Sequence, residues 1–148
     1  MELVAPAARY RDSYLAAEHE LLAAGELATP LPFDDHLRAL AAQQAVVELW
    51  LVEGDEYLGK LQLRPQPEPE QGHFGCKVRP SQRRRGLALH MCTLALPRLA
   101  PLGVDPAFAT CAPDNAASLR IVARLGGVLI DRLPNVLRFS IATSVRSS

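Results

Sequence analysis

The sequence predicts a mixed α/β domain covering residues 1–148, and three observations carry that prediction. Two segments with helical spacing open the chain. Two pairs of strand-like runs flank short turns, and strand-like and helix-like segments alternate through the second half. At 148 residues the chain suits one domain large enough to bury its own core.

The elements follow in order. In "ARYRDSYLAAEHELLAAGE" (residues 8–26), Tyr10, Tyr14, Leu15, Ala17, Leu21 and Leu22 share roughly one helical face, and Gly25 offers a stop. "PFDDHLRALAAQQ" (residues 32–44) reads as a shorter helix with Asp34 or Asp35 near its start. "VVELWLVEGDEYLGKLQL" (residues 46–63) sets runs rich in Val, Leu, Trp and Tyr on either side of Gly54-Asp55, a hairpin signal. "RPQPEPEQ" (residues 64–71) alternates proline with acidic and amide residues and predicts a solvated, extended loop. "GHFGCKV" (residues 72–78) reads as a strand, Gly86 to about Leu96 as a helix and "AFATC" (residues 107–111) as a strand. "DNAASLRIVARLGG" (residues 114–127) is a helix capped by Asp114 or Asn115 and stopped at Gly126. "GVLID", a turn at "RLPN", and "VLRFSIAT" make a second hairpin, and "SVRSS" (residues 144–148) reads as a frayed tail. No internal repeat or linker divides the chain.

Composition excludes several functions. Lys+Arg and Asp+Glu are equal at 16 each, so no global basic field recruits nucleic acid or an anionic membrane. Four Phe, three Tyr and one Trp leave little to stack bases with. No stretch is long and apolar enough to span a bilayer. Charges interrupt "MELVAPAARYRDSY" before any signal-peptide core develops. Cys76, Cys92 and Cys111 form no paired motif and read as reduced thiols of a cytoplasmic protein. His19, His36, His73 and His90 do not cluster with cysteine at zinc-like spacing, so no metal is expected.

"VRPSQRRRGLALHM" (residues 78–91) places three arginines at the mouth of a helix, where the backbone dipole already disfavours cations. A polyphosphate ligand resolves that conflict. The loop and first helical turn aim free N–H groups at one point, glycine lets the ligand approach, and arginines add charge-assisted bonds.

Arg83-Arg84-Arg85-Gly86-Leu87-Ala88 resembles the [Gln/Arg]-x-x-Gly-x-[Gly/Ala] signature of the GCN5-related N-acetyltransferases. "GHFGCKVRPS" is similar to that family's fourth strand and its exit, "APDNAASLRIVARLGGVLID" to its Asn-x-x-Ser helix and sixth strand, and "LWLVEGDEYLGKLQLR" to strands of a bacterial predicted-acetyltransferase subgroup. The resemblance implies a twisted mixed β-sheet flanked by helices, with an acetyl-coenzyme A cleft between two splayed central strands ending at Val78 and Cys111. It implies that Arg84, Arg85, Gly86, Leu87 and Ala88 hold the pyrophosphate through backbone amides, with the Arg83, Arg84 and Arg85 side chains near the phosphates. Cys76, Lys77 and Val78 would pair with the pantetheine arm, the Val78 N–H polarising the thioester carbonyl. Asn115 and Ser118 would contact pantetheine from the following helix. The implied reaction is direct acetyl transfer to a primary amine in a ternary complex.

The sequence departs from the family where a tyrosine often follows the asparagine by seven residues. Here that position is Val122. Arg84 stands where glycine is common, and Pro97 must end or kink its helix. The general base lies open between His73, whose intrinsic pKa suits, and Glu68 or Glu70 on the preceding loop. A coenzyme-A-binding module without catalysis is the alternative reading. The acceptor is a small-molecule or peptide amine of unspecified identity, since Tyr14, Asp34, Asp35, His36 and Trp50 near the expected substrate cleft single out no ligand. A homodimer is a further expectation from the resemblance.

Overall fold

A computed structural model describes residues 1–29 and 32–144; of the "SVRSS" tail, all but Ser144 lies outside the described residues. A 3-10 turn at Ala8–Tyr10 leads into α1 (Arg11–Ala23), and α2 (Phe33–Ala42) follows with Asp34 and Asp35 in its first turn, where they complement the helix dipole. Tyr14, Ala17 and Leu21 recur at helical spacing and are the residues that α1 buries. Tyr14 and Ala17 join Tyr10, Phe33, Trp50, Val52 and Tyr57 in an aromatic-rich layer, with Tyr14 stacked on Trp50 at 4.7 Å between centroids.

That layer covers one face of an antiparallel sheet of β1 (Glu2–Val4), β2 (Val47–Glu53), β3 (Glu56–Leu63) and β4 (Phe74–Val78), in that order. Strand β1 escapes sequence reading because three residues before a proline show no periodicity. The hairpin turns at Gly54-Asp55 as expected, with Gly54 at φ +59. Alternation along β2 sends Trp50 to the aromatic layer and Leu49 and Leu51 to the opposite face.

On that opposite face lies α3 (Leu87–Ala95), burying Leu87, Met91, Cys92 and Ala95. Pro97 ends it in two 3-10 turns, Leu96–Arg98 and Ala100–Leu102, because its ring removes an N–H and clashes with the preceding turn. Then come β5 (Ala107–Cys111), α4 (Ala116–Arg124), β6 (Val128–Arg132) and β7 (Leu137–Ile141), the strands forming a second antiparallel sheet in the order β5-β7-β6.

The expected strand "GHFGCKV" begins two residues late. Gly72 adopts φ +70, and a Cβ there would lie 2.7 Å from the Phe108 carbonyl oxygen, so the chain turns tightly before β4. His73 then bridges the sheets. Its N–H donates to the Phe108 carbonyl (2.8 Å), and the Phe108 N–H donates to its Nδ1 (2.8 Å). Beyond this junction β4 and β5 are not paired with each other but are edge strands of two separate ladders.

Candidate functional site

A cavity of about 1050 Å³ opens beyond the junction, between the end of β4 and α4. Its β4 wall is a backbone edge. Arg79 N–H donates to Leu58 O (2.9 Å) and Arg64 N–H to His73 O (2.7 Å), which places odd-numbered residues of β4 in the ladder with β3. Cys76 and Val78, opposite Leu61 and Gly59, therefore turn their own N–H and C=O away from β3 and toward the cavity. The Val78 carbonyl meets the Arg83 Nε–H there, at 3.1 Å.

The end wall is the start of α3. Gly86 is its N-cap in the left-handed region (φ 75), no side chain caps the helix, and no acidic residue stands in its first turn. The first amides of α3 are thus left for a ligand. Arg84 is also left-handed, at φ 66, the one non-glycine residue with positive φ among the described residues. Such a conformation costs an L-residue roughly 1–2 kcal/mol. Alternating left-handed residues at 84 and 86 direct successive N–H groups to one side, the geometry of an anion nest.

The three arginines do different things. Arg84 lines the cavity. Arg83 is clamped by Glu26 through Nη1 (2.7 Å) and Nη2 (2.9 Å), and the Arg83 hydrogen bond holds the Glu26 carboxyl below the ordinary carboxylate range. Arg85 hydrogen-bonds Gln82, off the cavity lining. Of the expected trio, Arg83 and Arg84 line the cavity and Arg85 does not, and Arg83 and Arg85 already have side-chain partners in Glu26 and Gln82. Arg79 is likewise anchored to Glu20 (2.6 Å), whose other oxygen accepts the Ser81 N–H (2.9 Å). Burial alone would raise the Glu20 pKa, but Ser81 and Arg79 outweigh it and hold the carboxyl low. Glu20 of α1 and Glu26 just after it thus hold the loop at Arg79, Ser81 and Arg83.

Helix α4 supplies the opposite wall. Asn115 caps it, its Oδ1 accepting the Ser118 N–H at 3.1 Å, and both residues line the cavity. Ala117, Arg120, Ile121 and Arg124 follow on the same face. Arg120 and Arg124 escaped the motif-based reading, although their i, i+4 spacing on a capped helix carried the signal. Glu20 and Glu26 had no local signal, since their partners lie more than fifty residues away.

The structure brings Cys76, Lys77, Val78, Arg83, Arg84, Gly86, Leu87, Ala88, Asn115 and Ser118 to one cavity. It does not bring His73 there. That ring sits at the opposite end of β4 from Val78, stacks near Phe108 (5.3 Å), and has Nδ1 occupied, while burial pushes its pKa down. His73 joins the two sheets at the end of β4 away from the cavity. Glu68 and Glu70 are also absent from the lining, and Val122, 4% exposed, faces the core. Among the described residues, no group of three or more His, Cys, Asp or Glu is placed to hold a metal ion, and no helix is long and apolar enough to cross a membrane.

Residues 8–128 match a family model described as an acetyltransferase (GNAT) domain. No curated protein sequence matches the chain. Among solved structures, a spermidine N-acetyltransferase SpeG chimera from Vibrio cholerae and hSSAT superposes with a TM-score of 0.71 at 16% identity, covering 97% of both chains. The yncA protein of Salmonella typhimurium, solved with its cofactor acetyl-CoA, gives 0.70 at 14% identity over 99% of this chain and 96% of its own. The Vibrio cholerae spermidine N-acetyltransferase in complex with CoA and spermine gives 0.70 at 15% identity over 96% and 95%. These structures share the fold.

Proposed function

The chain belongs to the GNAT acetyltransferase family, and from that premise we propose that it transfers the acetyl group of acetyl-coenzyme A directly to a primary amine in a ternary complex. One observation carries the reading. The backbone edge of β4 at Cys76 and Val78 faces a cavity that ends at an uncapped, arginine-flanked helix start. The residues fit such a ligand at both ends: an amide-bearing arm finds an unpaired strand edge, and phosphates find free N–H groups and cations.

Acetyl-coenzyme A supplies an acyl group activated as a thioester. The amides at 84–88 and the side chains of Arg84, Arg120 and Arg124 hold the anionic end. Cys76, Lys77 and Val78 receive the arm as an added strand, and the Val78 N–H steadies negative charge developing on the acyl oxygen. Asn115, whose Oδ1 is spent on the cap, offers its amide N–H groups, and Ser118 its hydroxyl.

A single domain over residues 1–148 and a cytoplasmic site of action belong to the same reading; three free cysteines support the latter. Pairing of two copies is supported by β6, an edge strand with Val128, Leu129 and Ile130 exposed. Burial of Val122 in the core, away from the cleft, favours a second reading, a module that binds coenzyme A without transferring acetyl groups.

Calorimetric titration with acetyl-coenzyme A, followed by free-thiol release across an amine panel, separates these. Saturable binding with amine-dependent thiol release is expected. Binding without release supports the silent module, and no binding by folded protein removes both.

A further inference from the structure

Resting on the acetyl-transfer reading, we propose that His36 is the general base, and that the acceptor amine sits beside it in a second, smaller cavity. That cavity, of about 310 Å³, lies on the α1/α2 face of β3 and β4. Glu18, Thr29, His36, Lys60 and Lys77 are among its lining residues. Lys77 lines the large cavity as well, and its neighbours in β4 are Cys76 and Val78, whose backbone groups face the cofactor cleft. An amine held here therefore approaches the thioester end of the cleft from the side opposite α3.

A chain of hydrogen bonds fixes which imidazole nitrogen is free. Glu18 accepts twice from Thr29, from the backbone N–H at 2.6 Å and from the hydroxyl at 3.0 Å. A hydroxyl has one proton, and Thr29 has spent it on Glu18. In the contact between Thr29 Oγ1 and Tyr14 Oη (2.9 Å), the donor is therefore Tyr14. Tyr14 has then spent its own proton, so across the 3.2 Å contact with His36 the donor is Nε2–H. In the neutral ring this leaves the lone pair on Nδ1. Tyr14 also stacks on the imidazole (5.8 Å between centroids, 28° between planes) and fixes its orientation. Burial pushes His36 below its ordinary 6.5, keeping it neutral and able to accept.

The step balances. The amine nitrogen bonds the acyl carbon, the carbon–sulfur bond breaks, and the proton released from nitrogen goes to His36 Nδ1. From there it passes to solvent, where the departing thiolate is protonated. The products are an amide and coenzyme A.

The groups facing His36 are Tyr14 and Glu18 from α1, Thr29 from the loop, Glu48 from β2 and Lys60 from β3, with Lys77 of β4 across the cavity. The test compares the intact protein with His36→Gln and Tyr14→Phe. It uses coenzyme A titration, the pH profile of kcat/KM for an amine that releases thiol, and long-range proton–nitrogen correlation spectra of the imidazole. His36→Gln is expected to bind coenzyme A within twofold of the parent, lose about 10²-fold or more in kcat/KM, and lose the acidic limb of the profile. In the parent protein the spectra should place the proton on Nε2, and Tyr14→Phe should release that preference while keeping the fold.

Turnover by His36→Gln within threefold of the parent overturns the assignment, as does an acidic limb that survives the substitution. A proton on Nδ1 in the parent overturns it even if no variant folds. A parent that binds acetyl-coenzyme A but acetylates no amine brings down the transfer reading, and His36 as its base falls with it.

Discussion

Replacing Gly59 with alanine tests whether the close approach of β3 to β4 sets the geometry of the cleft. A Cβ at 59 would lie 2.8 Å from the Lys77 carbonyl oxygen, 3.2 Å from the Val78 Cα and 3.2 Å from Met91 Cε. The first two are backbone atoms of β4, and Met91 is fully buried, so no flexible side-chain end can swing aside. Ordinary contact begins near 3.4 Å, so β4 must retreat by about 0.6 Å at Lys77. Overpacking of this kind costs roughly 1–3 kcal/mol. In a chain of this size that lowers Tm by about 3–10 °C. The retreat also displaces the Val78 N–H, and misplacement on the order of 1 Å in a reacting geometry costs up to about 10²-fold in rate. Thermal unfolding and coenzyme A titration should therefore both respond, with transfer falling by about tenfold or more. Gly75→Ala, on β4 itself, is the control. Its Cβ would meet only the Arg64 guanidinium, at 3.1 Å and beyond, which can move. Alanine there should be neutral or slightly stabilising through the unfolded chain. Gly59→Ala melting within 1 °C of the parent (about 0.3 kcal/mol) with unchanged affinity would refute the reasoning.

Two further predictions concern charge. Arg84→Ala and Arg120→Ala should each weaken coenzyme A binding by roughly 5–30-fold, the loss of a charge-assisted bond of about 1–2 kcal/mol at an exposed site. Arg85→Ala should stay within twofold, because its side chain is turned to Gln82, and equal losses at 84 and 85 in calorimetry would contradict the loop geometry. Burial holds folded His73 below its ordinary 6.5, and His36 shifts the same way. The unfolded chain then binds protons more readily, so this stability is whole above pH 6.5 and drains away as pH falls through the folded values. His73→Asn, which keeps an acceptor for the Phe108 N–H, should flatten the decline of Tm below pH 6.5, and an unchanged slope would exclude His73 as its source.

Local signals were legible and long-range ones were not. The helical spacing of Tyr14, Ala17 and Leu21, the Gly54-Asp55 turn and the Asn115 cap each follow from chemistry within a few residues, and each appears where expected. The arginine run lies in a loop that lines the large cavity. Its division of labour depended on Glu26, 57 residues away, and on the Gln82 amide, neither of which the motif contains. The place of His73 was hidden from the sequence for a related reason. Strand membership placed it beside the cleft residues in sequence, but β4 is long enough to hold its two ends apart, and only the tertiary contact with Phe108 shows which end it serves. His36 carried no motif at all. Its partners, Tyr14, Thr29 and Glu18, are brought together by the packing of α1 against α2 and the intervening loop.

The cleft concentrates costs that the rest of the fold avoids. Helices α2 and α4 receive acidic first-turn residues or a side-chain cap, whereas α3 receives neither and faces arginines that its dipole repels. Arg84 is held in a conformation that glycine would adopt freely, and β4 leaves backbone groups at an unpaired edge. Each cost alone has a simple remedy: an acidic residue in the first turn of α3, glycine at 84, or tighter pairing of β4 with β5. All of them lie on the wall of one cavity, and the proposed ligand, with phosphates and an amide-containing arm, would offset them. Glu26 fits the same logic. It pairs with Arg83, which also donates to the Val78 carbonyl, while Arg84, Arg120 and Arg124 stay on the cavity wall, where the proposed ligand's phosphates would meet them. The arginines at the mouth of α3 are thus a local arrangement in a chain of zero net charge, unfavourable alone and, under the proposed acetyl-coenzyme A reading, offset by the ligand's phosphates.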